Sequence, residues 1–219
     1  MARNITFAPG EFYHLYNRGT EKRNIFTNKQ DYERFLCLLY LCNGEVAANI
    51  NRQGRTFTDL LEPDQGKKLV EITAYCLMSN HFHLLVREIQ DGGISRFMQK
   101  ITTGYTMYFN KKYERSGALF QGRFKATHAS EDRYLKYLIS YIHLNPVKLI
   151  EPGWKESGIA NRKQAEMYLE KYRYSSYLDY LETTRVENKI INKEAFPEYF
   201  ESPKDFKSSV TEWLSYNVM

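Results

Sequence analysis

Two histidines, His81 and His83, carry the clearest chemical signal in the chain. They lie two residues apart in a segment rich in strand-forming residues. Their imidazoles therefore project from one face of a β-strand, with Phe82 on the other face. Two imidazoles can converge on one divalent ion but leave its coordination incomplete. The pattern is compatible with a metal site that needs further ligands, or with two histidines on a solvated strand.

A helix further along the chain could complete such a site. Residues 131–144 are predicted to be helical, and Pro146 is expected to end the helix. Tyr137, Tyr141 and Asn145 follow one another at i, i+4 spacing and share one helical face. Two imidazoles, an amide oxygen and water suit Mg²⁺ or Mn²⁺ and leave positions open for phosphate oxygens. A tyrosine there could attack the polarised phosphodiester, although 18 tyrosines in the chain make a tyrosine near any site unremarkable in itself.

The elements that must position these residues predict an α+β fold. Strands are expected at 12–19, 69–78, 81–88 and 118–128, and helices at 29–42, 94–113 and 131–144. This order predicts a ferredoxin-like split βαβ sandwich, an antiparallel sheet with helices on one face. The connection 43–68 is long, with a short helix expected at 58–61. We assign residues 1–150 to a catalytic domain. Residues 151–219 are expected to form a mostly helical C-terminal extension, helical around 163–172, that packs on this domain.

Composition narrows the class of protein. The 219 residues can bury one sizeable core, and 42% hydrophobic content excludes a disordered chain. No run of about 18 apolar residues occurs, and residues 1–4 do not begin a signal peptide, so we expect a cytoplasmic protein without a membrane partner. Three cysteines without CxxC spacing exclude a disulfide framework and a zinc knuckle.

A mild basic excess points to nucleic acid. The net charge is +5, and 18 tyrosines and 13 phenylalanines are interleaved with 31 lysines and arginines. Aromatic faces can stack on unpaired bases while cations follow the phosphates. His14 is expected beside the paired histidines if its strand neighbours theirs, in a structural or DNA-contacting role rather than as a ligand. The candidates for binding single-stranded DNA are Arg18, Arg87, Lys111, Lys112, Arg115, Arg123 and Lys125.

Four segments in order resemble the single-tyrosine HUH transposases, with the REP-associated tyrosine transposases as the most similar branch. They are residues 13–19 (YHLYNRG), 78–85 (MSNHFHLL), 117–125 (GALFQGRFK) and 141–147 (YIHLNPV). The resemblance extends over roughly 7–181 and includes a Ser-Ser-Tyr element at 175–177. Phe120 stands where tryptophan is common, the connection 43–68 is longer than usual, and nothing after Leu181 matches.

The resemblance implies a role for each matching residue. The histidine pair falls on His81 and His83, the nucleophile on Tyr141, and the third polar ligand on Asn145. It implies cleavage of single-stranded DNA next to a hairpin, which leaves a 5′-phosphotyrosine and a free 3′-OH, followed by strand transfer. The protein would act as a monomer or homodimer, with Tyr141 serving its own chain's histidines or a partner's.

Two other functions remain open at this point. One is a domesticated, non-catalytic regulator that binds single-stranded nucleic acid, and the other is a metal-dependent nuclease that uses water as the nucleophile. A decayed copy would be expected to lose a histidine or the tyrosine. Because His81, His83 and Tyr141 are all present, the sequence favours catalysis.

Overall fold

The computed structural model describes residues 5–46 and 54–215 of the chain. Its four strands are β1 (Phe12–Arg18), β2 (Val70–Met78), β3 (His81–Glu88) and β4 (Lys125–His128). They form one antiparallel sheet in the order β2-β3-β1-β4. A helical crossover joins β1 to β2 and another joins β3 to β4. This is the ferredoxin-like order, and the predicted fold class is confirmed.

The two crossover helices lie on one face of the sheet. They are α1 (Lys29–Leu41) and α2 (Gly93–Lys112). Asn28 caps α1 by accepting a hydrogen bond from the backbone N–H of Asp31. A Cβ at Gly93 would lie 2.3 Å from the carbonyl oxygen of Leu69, so the close start of α2 requires glycine. The core between these helices and the sheet includes Leu15, Tyr75, Phe82, Leu84, Val86, Phe35, Leu39, Phe97 and Ile101.

A third helix, α3 (Asp132–Leu144), covers the opposite face. Its apolar stripe packs against Cys76 of β2 and Leu85 of β3 in a second hydrophobic cluster. The expected placement of helices on one face therefore holds for the two crossover helices, while α3 adds a layer on the other face. The stripe consists of Leu135, Leu138, Ile139 and Ile142.

The α-helix α3 ends at Leu144, as the sequence predicted, but the chain remains helical beyond it. After Leu144 the chain continues as a 3-10 helix, Asn145–Leu149, with Pro146 in its first turn. Proline is tolerated there because the missing N–H would have no intrahelical partner. The chain therefore stays close to the sheet beyond α3 and carries Val147 into the core.

The C-terminal extension is mostly helical. It contains α4 (Trp154–Ser157), α5 (Arg162–Leu169), α6 (Tyr177–Tyr180) and α7 (Pro203–Glu212). Further 3-10 turns lie at Val186–Ile190, Lys193–Ala195 and Trp213–Ser215. Trp154, Leu169, Tyr177, Phe206 and Val210 belong to the same hydrophobic cluster as α3.

The segment before α6 docks on the outer edge of β2. The N–H of Leu77 donates to the carbonyl of Tyr174 at 2.9 Å, and the N–H of Ser176 donates to the carbonyl of Tyr75 at 3.0 Å. The hydroxyl of Ser176 lies 2.8 Å from Nε2 of His143, a fully buried residue on α3. These contacts satisfy backbone groups that an open sheet edge would otherwise expose.

Several boundaries differ from the sequence-based expectations. Residues 118–128 form a strand only from Lys125, because Gly117 and Gly122 adopt positive φ angles that turn the chain. Phe120 pairs with Gly19 in an isolated bridge. The short helix expected in the long connection appears as a 3-10 turn at Asp59–Leu61, and residues 47–53 of that connection lie outside the described residues. No described helix is long and apolar enough to cross a membrane.

Candidate active site

The register of β1 and β3 brings three histidines together. Arg18 faces His81, and Tyr16 faces His83, so the side chains of all four residues lie on the α3 face of the sheet. His14 is on the same face, and its Nε2 lies 2.9 Å from Nδ1 of His83. The prediction that His14 would lie beside the paired histidines is confirmed.

Asn80 orients His81. Nδ2 of Asn80 donates to the carbonyl of Lys22 at 3.2 Å, which identifies the other atom of the amide as oxygen. That oxygen lies 2.6 Å from Nδ1 of His81 and can only accept, so Nδ1 carries the proton. The lone pair of His81 is therefore on Nε2, available to a ligand. Asn80 therefore acts as the hydrogen-bond acceptor behind His81.

His83 has an equivalent partner in His14. The contact between Nδ1 of His83 and Nε2 of His14 can form with either nitrogen as the donor. When Nδ1 of His83 is the donor, Nε2 of His83 is left with a lone pair, as for His81. Such a partner fixes the tautomer and the ring orientation of a histidine that binds a metal.

All three imidazoles are neutral near pH 7. Burial lowers the pKa of His14 to about 4. Burial, with the charges of Lys148 and Arg18, lowers the pKa of His81 to about 4. Burial also holds the pKa of His83 well below its usual value, and the neighbouring histidines and lysines add to the effect. Neutral imidazole is the form that binds metal ions.

Tyr141 on α3 meets the histidines from above the sheet. Its ring lies 5.5 Å from that of His83 and 5.9 Å from that of His14, centroid to centroid, edge to face in both cases. Tyr137, one turn earlier, contacts Tyr141 and Trp213 instead. Burial raises the pKa of the Tyr141 phenol, and nearby tyrosines raise it further, so the phenol is protonated near neutral pH.

Asn145 has an unsatisfied oxygen. It is 1% exposed, its Nδ2 donates to the carbonyl of Tyr141 at 2.8 Å, and its Oδ1 has no hydrogen-bond partner. A buried polar atom without a partner costs about 1–3 kcal/mol and calls for a ligand or water. Within the described residues no three His, Cys, Asp or Glu side chains form a metal-binding group. Two imidazole nitrogens and an amide oxygen are ligand types that suit an ion taking its other ligands from water or phosphate.

Two lysines near the site were missed by sequence reasoning. Lys148 follows Tyr141 and Asn145 at helical spacing, and this signal was lost because the helix was expected to stop at Pro146. Lys155 lies next to the buried Trp154, and its ammonium nitrogen is 3.9 Å from the centroid of the Tyr141 ring. No spacing rule connects Lys155 with Tyr141, so only the fold reveals this contact.

The predicted DNA-contacting residues divide between the two sides of the sheet. Arg18 and Lys125 are exposed on the α3 face, where Lys125 pairs with Tyr16. Arg123 is exposed just before β4, and Arg87 lies further along the α3 face, over the ring of Phe12. Arg18 lies opposite His81, whereas Arg123 lines a surface cavity with Asn17 and residues of α2, so DNA binding by these four residues stays a prediction.

The other three candidates lie around the end of α2, beyond the opposite face. Lys112 contacts Asp31 at 2.6 Å, and Arg115 donates to the side-chain oxygen of Asn110 at 3.0 Å. Lys111 is exposed. Lys112 thus has a structural partner between α1 and α2, and a role of these three residues in DNA binding stays a prediction.

A family model decides the assignment. The model described as "Transposase IS200 like" matches residues 12–145, from β1 to Asn145 just after α3, and spans more than half of the chain. This chain belongs to the IS200-like transposase family. The matched segment of this transposase contains the histidines, Tyr141 and Asn145. A search of curated proteins found no match.

A solved transposase structure shows the same fold. A REP-associated tyrosine transposase bound to a REP hairpin superimposes with a TM-score of 0.52 at 14% identity, covering 85% of this chain and 90% of that one. The likeness covers a larger share of the chain than the family match over residues 12–145 does. A tRNA(His) guanylyltransferase from Saccharomyces cerevisiae gives a TM-score of 0.37 at 12% identity over 94% of this chain and 86% of that one, which is too weak to support an inference.

Proposed function

We propose that this transposase cleaves and rejoins single-stranded DNA beside hairpins through a 5′-phosphotyrosine intermediate at Tyr141. His81, His83 and Asn145 would hold a divalent ion, Mg²⁺ or Mn²⁺, at the point of cleavage. The observation that carries the proposal is the contact between the Tyr141 ring and the neutral, hydrogen-bonded His83. This contact supports the proposal because it brings a phenol on α3 close to a neutral imidazole on β3.

The covalent step conserves protons. The Tyr141 oxygen forms a bond to phosphorus, and the bond from phosphorus to the 3′-oxygen breaks. The phenol loses its proton, and the 3′-oxygen takes up a proton to become a free 3′-OH. Rejoining reverses these changes with another 3′-OH. A phenol with a raised pKa is a weak nucleophile. A bound divalent ion would polarise the phosphodiester and stabilise the developing charge.

The histidines act as neutral ligands in this scheme. Asn80 and His14 hold the two rings so that each can present Nε2 to an ion. The low pKa of His81, about 4, means that protons do not compete for this nitrogen near neutral pH. Asn145 supplies the buried oxygen that lacks another partner.

The contact between Tyr141 and His83 is made within one chain. This supports a reaction in which the tyrosine serves its own chain's histidines, whether the protein is a monomer or a homodimer. The solved relative was bound to a REP hairpin. We extend that kind of partner, single-stranded DNA with a hairpin, to this chain, with Arg18, Arg123 and Lys125 along its path.

The test uses a hairpin-bearing single strand labelled at its 3′ end and incubated with Mn²⁺ or Mg²⁺. We expect a labelled band that comigrates with protein on a denaturing gel, and an unlabelled fragment that a polymerase can extend from its free 3′-OH. EDTA, or His83→Ala, should abolish both products while DNA binding persists. Release of labelled DNA without a protein adduct would support the water-dependent nuclease instead. Binding without any cleavage would support the non-catalytic regulator.

A further inference from the structure

Two lysines of the transposase converge on the candidate active site from the segment after α3. Lys148 lies on the 3-10 turn Asn145–Leu149, and Lys155 lies on the short helix α4. Each follows a buried residue that anchors its backbone, since Val147 is 0% and Trp154 is 3% exposed. Both lysine side chains are half-buried, so their positions are set by the fold.

The charges of these lysines act on the tyrosine and the histidines of the site. Lys155 places its ammonium nitrogen 3.9 Å from the centroid of the Tyr141 ring, a cation–π contact. The positive charge of Lys148 contributes to lowering the pKa of His81 and of His83, and that of Lys155 also acts on His83. Lys155 therefore contacts the tyrosine directly, and Lys148 lies on the turn that begins at Asn145.

These two cations repel each other and have no paired anion. Burial, reinforced by the charge of Lys148, lowers the pKa of Lys155 to about 8. Glu156 opposes this effect, but none of the ion pairs found within residues 5–46 and 54–215 involves Lys148 or Lys155. Half-buried, unpaired like charges cost stability, and such arrangements occur where an anionic ligand binds.

We propose that Lys148 and Lys155 form a clamp for one phosphodiester of the DNA, the one that Tyr141 attacks. A phosphodiester fits because it is a compact anion with two free oxygens, one for each ammonium group. The tyrosine is held from one side by Lys155, so clamping the phosphate and aiming the phenol involve the same cation. The identity of this phosphate as the scissile one rests on the proposed function, whereas the clamp itself does not.

The experiment measures binding without cleavage. In a Tyr141→Phe background, single-stranded DNA carrying one uncharged methylphosphonate is tested at each linkage position in turn. The methylphosphonate at one position should weaken binding roughly tenfold, a penalty expected for the loss of charged hydrogen bonds. With Lys148→Met and Lys155→Met added, the unmodified DNA should bind more weakly and the penalty at that position should fall below about twofold. Lys155→Arg in place of Lys155→Met should restore part of the penalty, since it keeps the charge.

A matched pair of exposed lysines provides the control. Lys163→Met with Lys171→Met, around α5, removes the same charge from another surface and should leave the penalty at the clamped position unchanged. If the Lys148 and Lys155 variants also leave it unchanged, or if no single linkage stands out, the clamp is refuted. If the clamped linkage is found but wild-type protein forms no adduct there, the clamp stands and the proposed function fails.

Discussion

Replacing His14 by phenylalanine isolates the hydrogen bond that orients His83. His14 is stacked between Tyr16 and His83, with ring centroids 5.0 and 5.1 Å away. Phenylalanine keeps an aromatic ring in the stack and removes both ring nitrogens, including Nε2, which lies 2.9 Å from Nδ1 of His83. The change therefore separates the orientation of the ligand from the packing of the core.

The magnitude follows from the role of the partner. Loss of a hydrogen-bonding partner behind a metal ligand lowers metal affinity about 10–100-fold, or roughly 1.4–2.8 kcal/mol. Loss of one buried hydrogen bond costs about 1 kcal/mol of folding free energy, which for a chain of this size lowers Tm by about 2–4 °C. We expect a large effect on the metal and a small effect on the fold.

Calorimetric titration of Mn²⁺ into wild type and His14→Phe measures the first quantity, and thermal unfolding without metal measures the second. His14→Gln is the control, because its side chain can again offer an oxygen to Nδ1 of His83, and it should recover part of the affinity. Equal Mn²⁺ affinity for wild type and His14→Phe would refute the orienting role. A fall in Tm well beyond this range would show that His14 acts mainly in packing.

Other predictions concern the framework around the site. Burial alone would raise the pKa of Asp31, but hydrogen bonds, with that from Lys112 the strongest, hold it at about 2, below the usual 3.8. The carboxylate should therefore add about 2 kcal/mol to the free energy of unfolding above about pH 4, and this contribution should be lost as the pH falls toward 2. Denaturant unfolding should show that the difference in unfolding free energy between wild type and Asp31→Asn shrinks over that pH interval. A constant difference would contradict the assignment of this carboxylate. Arg185→Met leaves the buried Asp179 without its ion-pair partner and should lower the free energy of unfolding by about 3–5 kcal/mol. A double variant with Asp179→Asn should recover much of this loss. Ser176→Ala removes the hydroxyl between Tyr75 and His143 and should cost about 1–3 kcal/mol in the same assay, with no loss expected if the extension were only loosely attached.

The sheet and its crossover helices could be predicted because their signals are local. Alternation in β3 and the i, i+4 spacing on α3 indicate which side chains share a face, and the element order restricts the topology. The predicted neighbourhood of His14 depended on β1 pairing with β3, and the observed register supplies that pairing. The resemblance to known transposases, now supported by the family match, covered the same segments.

Other features depend on contacts that sequence spacing does not encode. Lys155 reaches Tyr141 because Trp154 is buried beside α3, and nothing in the order of residues indicates this approach. The role of Asn80 is of the same kind, because its side chain orients His81 through a contact that residue spacing does not indicate. The continuation of the helical path past Pro146 was missed because proline was expected to end it, whereas it is tolerated in the first turn of a 3-10 helix.

The covalent adduct formed by Tyr141→Phe, compared with that of wild type and of Tyr137→Phe, tests the central claim most directly. Each substitution removes one hydroxyl from neighbouring tyrosines on α3, so fold and DNA binding should be retained in both. With a 3′-labelled hairpin substrate and Mn²⁺, we expect wild type and Tyr137→Phe to give a labelled protein band on a denaturing gel, and Tyr141→Phe to give none. A labelled adduct of undiminished yield from Tyr141→Phe would contradict the account, because the nucleophile would then lie elsewhere in the chain.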